Sequence, residues 1–350
     1  MPSMASIGTE LGTGWSRFLK GVSIDGERVA DVLADQVRFR ITRPGSTSLS
    51  HVVPDSAKAR ELWELPQTRT FVRGVLELAN DVGTDPSPLT GFTLATSEAG
   101  YVVNRAVHGM KPGVAPTREA YEAAIDAATN HVAGTVAVRK GTWLHLGPKR
   151  SEGILWALDH PDVPRSEMPK RIRTSLGFGV KTLLHELDHV GTPTTPGTKH
   201  LDWLREGRAE VFARWPGRVP AAGRTLGLDV PTGVGHMADD TSTYRNEVAA
   251  VRALLRMAGV DTRRSSEFAA ARELIGTVPE HKLAARLATA ISKRHAIGDD
   301  EARLLRSKVR SLVNSKIAPD GSHADPRRVQ RLSRGLEAAR SDRIAAIRTA

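Results

Sequence analysis

Residues 181–190 read Lys-Thr-Leu-Leu-His-Glu-Leu-Asp-His-Val, which is the most informative stretch of the chain. Apolar residues recur around it at helical spacing, namely Val180, Leu183, Leu184 and Leu187. This spacing predicts a helix that begins near residue 169 or 176, ends near 190, and buries one face. His185 and His189 are four residues apart, so their side chains lie one above the other on that helix.

Two imidazoles in this arrangement can bind one Zn²⁺ ion, and Glu186 is placed to act as a general base on a water that the metal activates. The chain of 350 residues contains no cysteine, which excludes disulfide scaffolds, thiol nucleophiles and thiolate metal sites. Any transition metal must therefore be held by nitrogen and oxygen atoms. The sequence predicts zinc as the cofactor.

A catalytic zinc ion takes three protein ligands and leaves the fourth position open. Three candidates for the third ligand follow the histidines along the chain: His200, Asp202 and Glu206. Glu206 is favoured because it lies on the next predicted helix, residues 201–214, and shares a face of that helix with Glu210. One of the two glutamates can then bind the metal while the other accepts a hydrogen bond from a ligand histidine.

Residues 203–210 read Trp-Leu-Arg-Glu-Gly-Arg-Ala-Glu, and together with the His-Glu-x-x-His helix they resemble the gluzincin metallopeptidases. The resemblance covers about a third of the chain. It implies an α+β fold: a zincin-like metallopeptidase domain with a small antiparallel sheet, followed by an all-helical C-terminal region. It also implies that the metal ligands are His185, His189 and Glu206 and that the general base is Glu186. Asp202, in turn, is similar in position to the aspartate ligand of aspzincins.

Residues 135–146 alternate β-branched and aromatic residues around a Lys140-Gly141 turn, which predicts a β-hairpin. By the same resemblance, this hairpin corresponds to the edge strand along which such enzymes bind an extended peptide. His145 on this strand is a candidate to line the cleft. The expected partner is therefore a peptide or protein substrate. The expected activity is hydrolysis of peptide bonds, with Glu186 as the general base.

A peptidase also needs a donor that stabilises the oxyanion formed beside the metal. The chain has three tyrosines, Tyr101, Tyr121 and Tyr244. Tyr244 is the first candidate because it lies downstream of the metal motif at the start of a predicted helix, where zincins often place such a donor. His236 is the second candidate.

The sequence divides into a mixed N-terminal region (1–130), a catalytic core (131–260) and a basic helical region (261–350). A Gly/Pro/Ser-rich stretch at 83–91 predicts a loop. The last region carries 19 Lys plus Arg against 11 Asp plus Glu, which is +8 of the net charge of +11. Two explanations stay open for this excess: docking to nucleic acid or an acidic partner, or an Arg-rich face that is only solvated.

The N-terminus has no apolar segment of the kind that a secretory signal requires, and no window approaches the length of about 18 apolar residues expected of a membrane span. We therefore expect a cytoplasmic protein without a membrane span. Its composition is typical of a GC-rich bacterial or phage gene, which leaves a virion-associated location open. The alternative function is a structural or binding protein, such as a phage or assembly component, that keeps the zincin fold without cleaving peptides.

Overall fold

The computed structural model has mixed α and β content and divides into two compact units. The first unit comprises Met1–Gly191 and Val219–Val234, and the second comprises Thr192–Arg218 and Gly235–Ala350. In the part of the chain that is described, no helix combines the length and the apolar character needed to cross a membrane. The described residues are 13–24, 26–82, 89–110, 115–129, 133–138, 141–164, 166–191, 202–230, 244–276, 278–295, 298–313 and 326–337.

Among its described residues, the first unit is built from a five-stranded sheet, a small two-stranded sheet, nine α-helices and a 3-10 turn at Leu49–His51. Its strands are β1 (Ser23–Ile24), β2 (Glu27–Arg28), β3 (Val37–Ile41), β4 (Val52–Pro54), β5 (Leu89–Leu94), β6 (Ala133–Val138) and β7 (Gly141–Leu146). Its helices are α1 (Thr13–Lys20), α2 (Val29–Ala34), α3 (Ala57–Trp63), α4 (Pro66–Val82), α5 (Glu98–Gly109), α6 (Arg118–Thr129), α7 (Pro148–Asp159), α8 (Lys170–Gly191) and α10 (Arg218–Thr225).

The five-stranded sheet has the order β4-β3-β5-β7-β6. The predicted hairpin is confirmed: β6 and β7 pair antiparallel, with Val138 opposite Gly141, and β6 is the outermost strand. The expectation of an antiparallel sheet is wrong in one place, because β5 and β7 pair in parallel. The chain passes through α5, α6 and β6 between these two strands, and a connection of that length can return it in the same direction.

A buried polar network lies on the face of the sheet that α5 covers. The Arg38 guanidinium is fully buried; it forms an ion pair with Asp55 at 3.3 Å and donates a hydrogen bond to Asn104 Oδ1 at 2.7 Å. It also lies 5.4 Å from the ring centroid of Trp143. Since a buried charge is costly unless it is paired, these contacts fix β3, β4, β7 and α5 relative to one another.

Two buried histidines continue this network. The His108 ring stacks on Trp143 with a centroid distance of 4.2 Å, and His108 Nδ1 lies 3.2 Å from His145 Nε2. Burial holds the pKa of both imidazoles well below its ordinary value, and the positive charge of Arg38 acts in the same direction. Both rings are therefore neutral in the folded chain, so that one of them can donate a hydrogen bond to the other.

We predict that this histidine pair makes the fold sensitive to acid. In the unfolded chain each imidazole takes up a proton near pH 6.5, whereas in the folded chain it stays neutral, so stability is complete above about pH 6.5 and falls as the pH is lowered. Each histidine accounts for a decrease of up to about 1.4 kcal/mol per pH unit. Urea unfolding at pH 7.5 and 5.5 measures this decrease.

The variant His145→Gln should have a smaller pH dependence, because one titrating group is removed. His281 is exposed on a helix of the second unit, and His281→Gln serves as the control that should keep the full dependence. An unchanged dependence in His145→Gln would show that the buried pair does not take up protons on unfolding.

The second unit is helical throughout its described residues, which include those of the predicted all-helical region, 261–350. Its α-helices are α9 (Asp202–Ala213), α11 (Arg245–Met257), α12 (Phe268–Ala271), α13 (Glu280–His295), α14 (Asp299–Val313) and α15 (Pro326–Glu337). A 3-10 turn at Ser265–Glu267 and a π-helical turn at Arg272–Gly276 flank α12. Helix α11 packs against α9, α13 and α15, and α13 packs against α14. Their apolar faces form one core.

Candidate metal centre

Helix α8 carries the His-Glu-x-x-His motif and is buried along most of its length. It spans Lys170–Gly191, and the predicted apolar face is buried as expected. The helix packs against α4 and α7 and contacts β6 and β7. From Leu176 to Gly191 every residue is buried or half-buried, so the motif lies on a rigid, enclosed element, as a metal site requires.

The two motif histidines face each other. His185 Nε2 and His189 Nε2 are 3.1 Å apart, and the two rings are nearly perpendicular with their centroids separated by 4.7 Å. Two nitrogens on a tetrahedral zinc ion, each about 2.05 Å from the metal, are separated by about 3.3 Å. The spacing of the two imidazoles in this structure therefore fits two ligands of one zinc ion.

Glu186 lies beside the histidine pair on the same helix. Only 6% of the residue is exposed, so its carboxylate is largely withdrawn from solvent. Because it directly follows His185, it projects from the helix about 100° around the axis from that histidine. A carboxylate in this position can take a proton from a water molecule held near the two imidazoles.

Glu206, the third predicted ligand, lies on α9 in the second unit and is half-buried. The donor set that the sequence predicts, two imidazoles and one carboxylate, suits a catalytic zinc ion.

The packing of helix α9 explains why glycine follows Glu206. A Cβ atom on Gly207 would lie 2.7 Å from the backbone oxygen of Glu247. Helices α9 and α11 therefore approach each other too closely at this point for any larger residue. The neighbouring Glu206 is half-buried, with its carboxylate 3.6 Å from the guanidinium of Arg205.

Glu210, the residue predicted to support a ligand histidine, lies one turn further along α9 and is buried. Its carboxylate accepts a hydrogen bond from Arg214 Nε at 2.7 Å, and the two side chains form a buried ion pair. This pair lies at the C-terminal end of α9, where a positive side chain is favourable. The ion pair with Arg214 therefore fixes the side chain of Glu210, one of the two glutamates in the 203–210 motif.

The other residues predicted as metal ligands or oxyanion donors lie in different parts of the chain. Tyr244 immediately precedes α11 and packs, half-buried, against the core of the second unit. Asp202 is the first residue of α9. His200 and His236 lie outside the described residues.

The contact between Tyr101 and Arg105 was not predicted from the sequence. Tyr101 is buried on α5, and its hydroxyl oxygen accepts a hydrogen bond from Arg105 Nη1 at 3.1 Å. Burial raises the pKa of the Tyr101 hydroxyl, the positive charge of Arg105 lowers it, and the negative charge of Glu186 raises it.

No protein-family model matches the chain, and comparisons with curated proteins and with solved structures give no significant match.

We predict that Gly207→Ala destabilises the chain. The added methyl group meets a backbone oxygen, which cannot move aside as the end of a flexible side chain can, so the helices must separate at a cost of about 1–3 kcal/mol. This cost exceeds the gain of about 1 kcal/mol in helix propensity. Thermal unfolding should show a lower Tm.

Gly109→Ala is the matched control, because Gly109 ends helix α5 and a Cβ atom there would meet nothing within 4 Å. This variant should keep the Tm of the unsubstituted chain or raise it slightly. A Gly207→Ala variant with an undiminished Tm would refute the close approach of α9 and α11.

Proposed function

We propose that the chain is a zinc-dependent peptidase of the gluzincin type. In this proposal His185, His189 and Glu206 hold the zinc ion and Glu186 is the general base. The observation that carries it is the 3.1 Å separation of the two imidazole nitrogens on α8, which suits two ligands of one zinc ion. Glu206 is proposed as the third ligand because of the sequence motif in which it lies.

The chemistry follows from the donor set. Three protein ligands leave one coordination position open, which is the arrangement of catalytic zinc sites. When bound, a zinc ion supplies Lewis-acid activation of a water molecule and of the scissile carbonyl. The protein residues must then place the base, exclude bulk water and orient the peptide.

Glu186 handles the proton in this mechanism. Its carboxylate accepts a proton from the attacking water and later donates that proton to the nitrogen of the departing amine. Glu186 is buried beside His185 and His189, so it is withdrawn from bulk solvent. The rigidity of α8 fixes the distance between this base and the two ligand histidines.

Strand β6 offers a place for the substrate backbone. It is the last strand of the five-stranded sheet and pairs with β7 on one side. An edge strand presents backbone N–H and C=O groups that an extended peptide can pair with by β-augmentation. We therefore propose that a peptide substrate binds in extended form along β6.

We predict that the purified chain contains one zinc ion, measured by plasma mass spectrometry. His185→Ala should release the metal because a ligand is removed. Glu186→Gln should keep the metal but lower the cleavage of fluorescently labelled casein, or of a peptide library, by about 100-fold or more, because the proton acceptor is absent.

Exposed residues provide the matched controls for this experiment. His281→Ala should keep zinc, and Glu167→Gln, on an exposed turn before α8, should keep both zinc and cleavage. A wild-type chain without zinc contradicts the proposal. A chain that binds zinc but cleaves no peptide supports the alternative, a structural or binding protein with a zincin-type site.

We propose as a second, separate function that α15 binds nucleic acid. Arg328, Arg331 and Arg334 recur every three residues and are all exposed. Val329, Leu332 and Leu336 on the same helix are buried in the core of the second unit. Three exposed arginines thus lie along this helix, and arginines spaced in this way can contact consecutive phosphates.

We predict that a 30-base-pair DNA duplex binds the chain with an affinity that falls as salt rises from 50 to 300 mM. Replacing the three arginines by glutamine should reduce the slope of log Kd against log salt by about 0.9 for each phosphate that the variant no longer neutralises. Fluorescence anisotropy measures both quantities.

Replacing Arg118 and Arg171 by glutamine provides the control, since both are exposed in the first unit. This variant should bind DNA as the wild type does. Absence of binding at 50 mM salt, or an unchanged slope in the α15 variant, would identify the arginine row as a solvated helix face.

A further inference from the structure

The first unit contains a cleft that takes no part in the candidate metal centre. Its volume is about 500 Å³, within the range of about 300–1,000 Å³ that is typical of small-molecule sites. All the residues that line it belong to the first unit. The cleft reaches helix α8 at Arg171 and Ile172. These residues are about 20 Å from His185 along the helix axis, at 1.5 Å per residue.

The cleft lies where the two parallel strands of the sheet end. Ala95 and Thr96, which line it, directly follow β5, and Pro148 comes two residues after the end of β7. The two strand ends are joined by a hydrogen bond of 3.0 Å from the backbone nitrogen of Ala95 to the backbone oxygen of Leu146. In open α/β sheets, ligands bind in the crevice outside the carboxyl ends of the parallel strands. The cleft has this position.

The surface of the cleft is mainly apolar, and part of it is aromatic. The Trp156 indole and the His160 imidazole both line the cleft and stack on each other, with ring centroids 4.5 Å apart and ring planes within 8° of parallel. A flat, apolar ligand is stabilised by packing against such a surface. The apolar side chains of the lining are Val37, Leu62, Ala95, Leu155, Trp156 and Ile172.

The charged residues of the lining include one cation more than anions. Arg171 Nη2 donates a hydrogen bond to Glu152 Oε1 at 2.6 Å, and Lys58 Nζ donates one to Glu61 Oε2 at 3.1 Å. Lys149 is exposed and, within the described part of the chain, forms no ion pair. Its ammonium group is therefore available to an anionic ligand. The charged residues that line the cleft are Lys58, Lys149, Arg171, Glu152 and Asp159.

Helix α7 sets the distance between the available cation and the aromatic surface. Lys149 and Trp156 are seven residues apart, so they lie on the same face of the helix, about 10 Å from each other along its axis. Asp159 lies almost one turn beyond Trp156. A ligand with its ring near Trp156 and its negative group towards Lys149 therefore keeps that group away from the carboxylate of Asp159.

We propose that this cleft binds a small aromatic carboxylate. The ring of the ligand packs against Trp156 and the apolar lining, and its carboxylate accepts a hydrogen bond from the ammonium group of Lys149. A hydrogen bond between two charged groups is stronger than one between neutral groups, so it selects a carboxylate over a neutral ligand of the same shape. The site is independent of the proposed peptidase function.

The first test is isothermal titration calorimetry of the full chain with 2-naphthoate and with indole-3-acetate. Lys149→Gln should raise the Kd about tenfold because the charged hydrogen bond is lost. The neutral 2-naphthamide should bind the wild type more weakly than 2-naphthoate by a similar factor. Lys20→Gln is the matched control, since Lys20 is exposed on α1 and does not line the cleft. It should keep the wild-type Kd.

The second test locates the ligand. The chain has six tryptophans, so labelling with 5-fluorotryptophan gives six ¹⁹F NMR signals, and the signal missing in Trp156→Phe identifies Trp156. Addition of 2-naphthoate should shift this signal more than the other five. Carboxylates also bind zinc, so the titration is repeated after treatment with EDTA, which should leave the Kd of 2-naphthoate unchanged.

Each outcome bears directly on the cleft. A weaker affinity in Lys149→Gln together with a shifted Trp156 signal supports the proposal. It is overturned if neither acid binds at millimolar concentration, if Lys149→Gln or the neutral amide binds as tightly as the wild type binds 2-naphthoate, or if the Trp156 signal stays in place. Binding that disappears with EDTA belongs to the metal centre and also overturns it. None of these results alters the peptidase proposal, which depends on peptide cleavage and on zinc content.

Discussion

The burial of helix α8 is the constraint on which the candidate site depends. From Leu176 to Gly191 the helix has no exposed residue, although it carries two histidines, a glutamate and an aspartate in its last two turns. Polar groups withdrawn from water destabilise a protein unless they find partners. The facing of His185 and His189 shows one way in which this helix meets that requirement.

Helix α5 links the buried polar network to the rest of the first unit. Asn104 and His108 on this helix belong to the buried network of Arg38. Tyr101 and Arg105, on the same helix, are joined by a hydrogen bond of 3.1 Å. Because these residues share one helix, the contacts of Asn104 and His108 also fix the position of Tyr101.

The sequence is a good guide wherever the signal is local. The β6–β7 hairpin, α8 and α9 follow from strand alternation and helical spacing, and they agree with the structure within a few residues. Strand β5 is not predicted because Gly91 lies in a stretch that is typical of a loop. The structure gives the reason for this glycine: a Cβ atom there would lie 2.5 Å from the ring of Trp143 on the neighbouring strand. Such a requirement comes from a residue far along the chain, so no local pattern reveals it.

The position of His145 is difficult to predict for the same reason. The sequence makes it a candidate to line the substrate cleft, but the structure buries it completely against His108. Alternation along β7 places His145 and Trp143 on one face, but it does not tell which face α5 covers.

The Glu206-Gly207 dipeptide shows how packing and chemistry can share one short motif. Adjacent residues on a helix point about 100° apart, so Gly207 can face helix α11 while the side chain of Glu206 points in another direction. The close approach that Gly207 allows fixes α9 against the backbone of Glu247. One turn later, the buried Glu210–Arg214 pair fixes the end of the same helix. Two contacts within the second unit therefore fix the part of α9 that follows Glu206, the predicted third ligand, and both come from one short stretch of the helix.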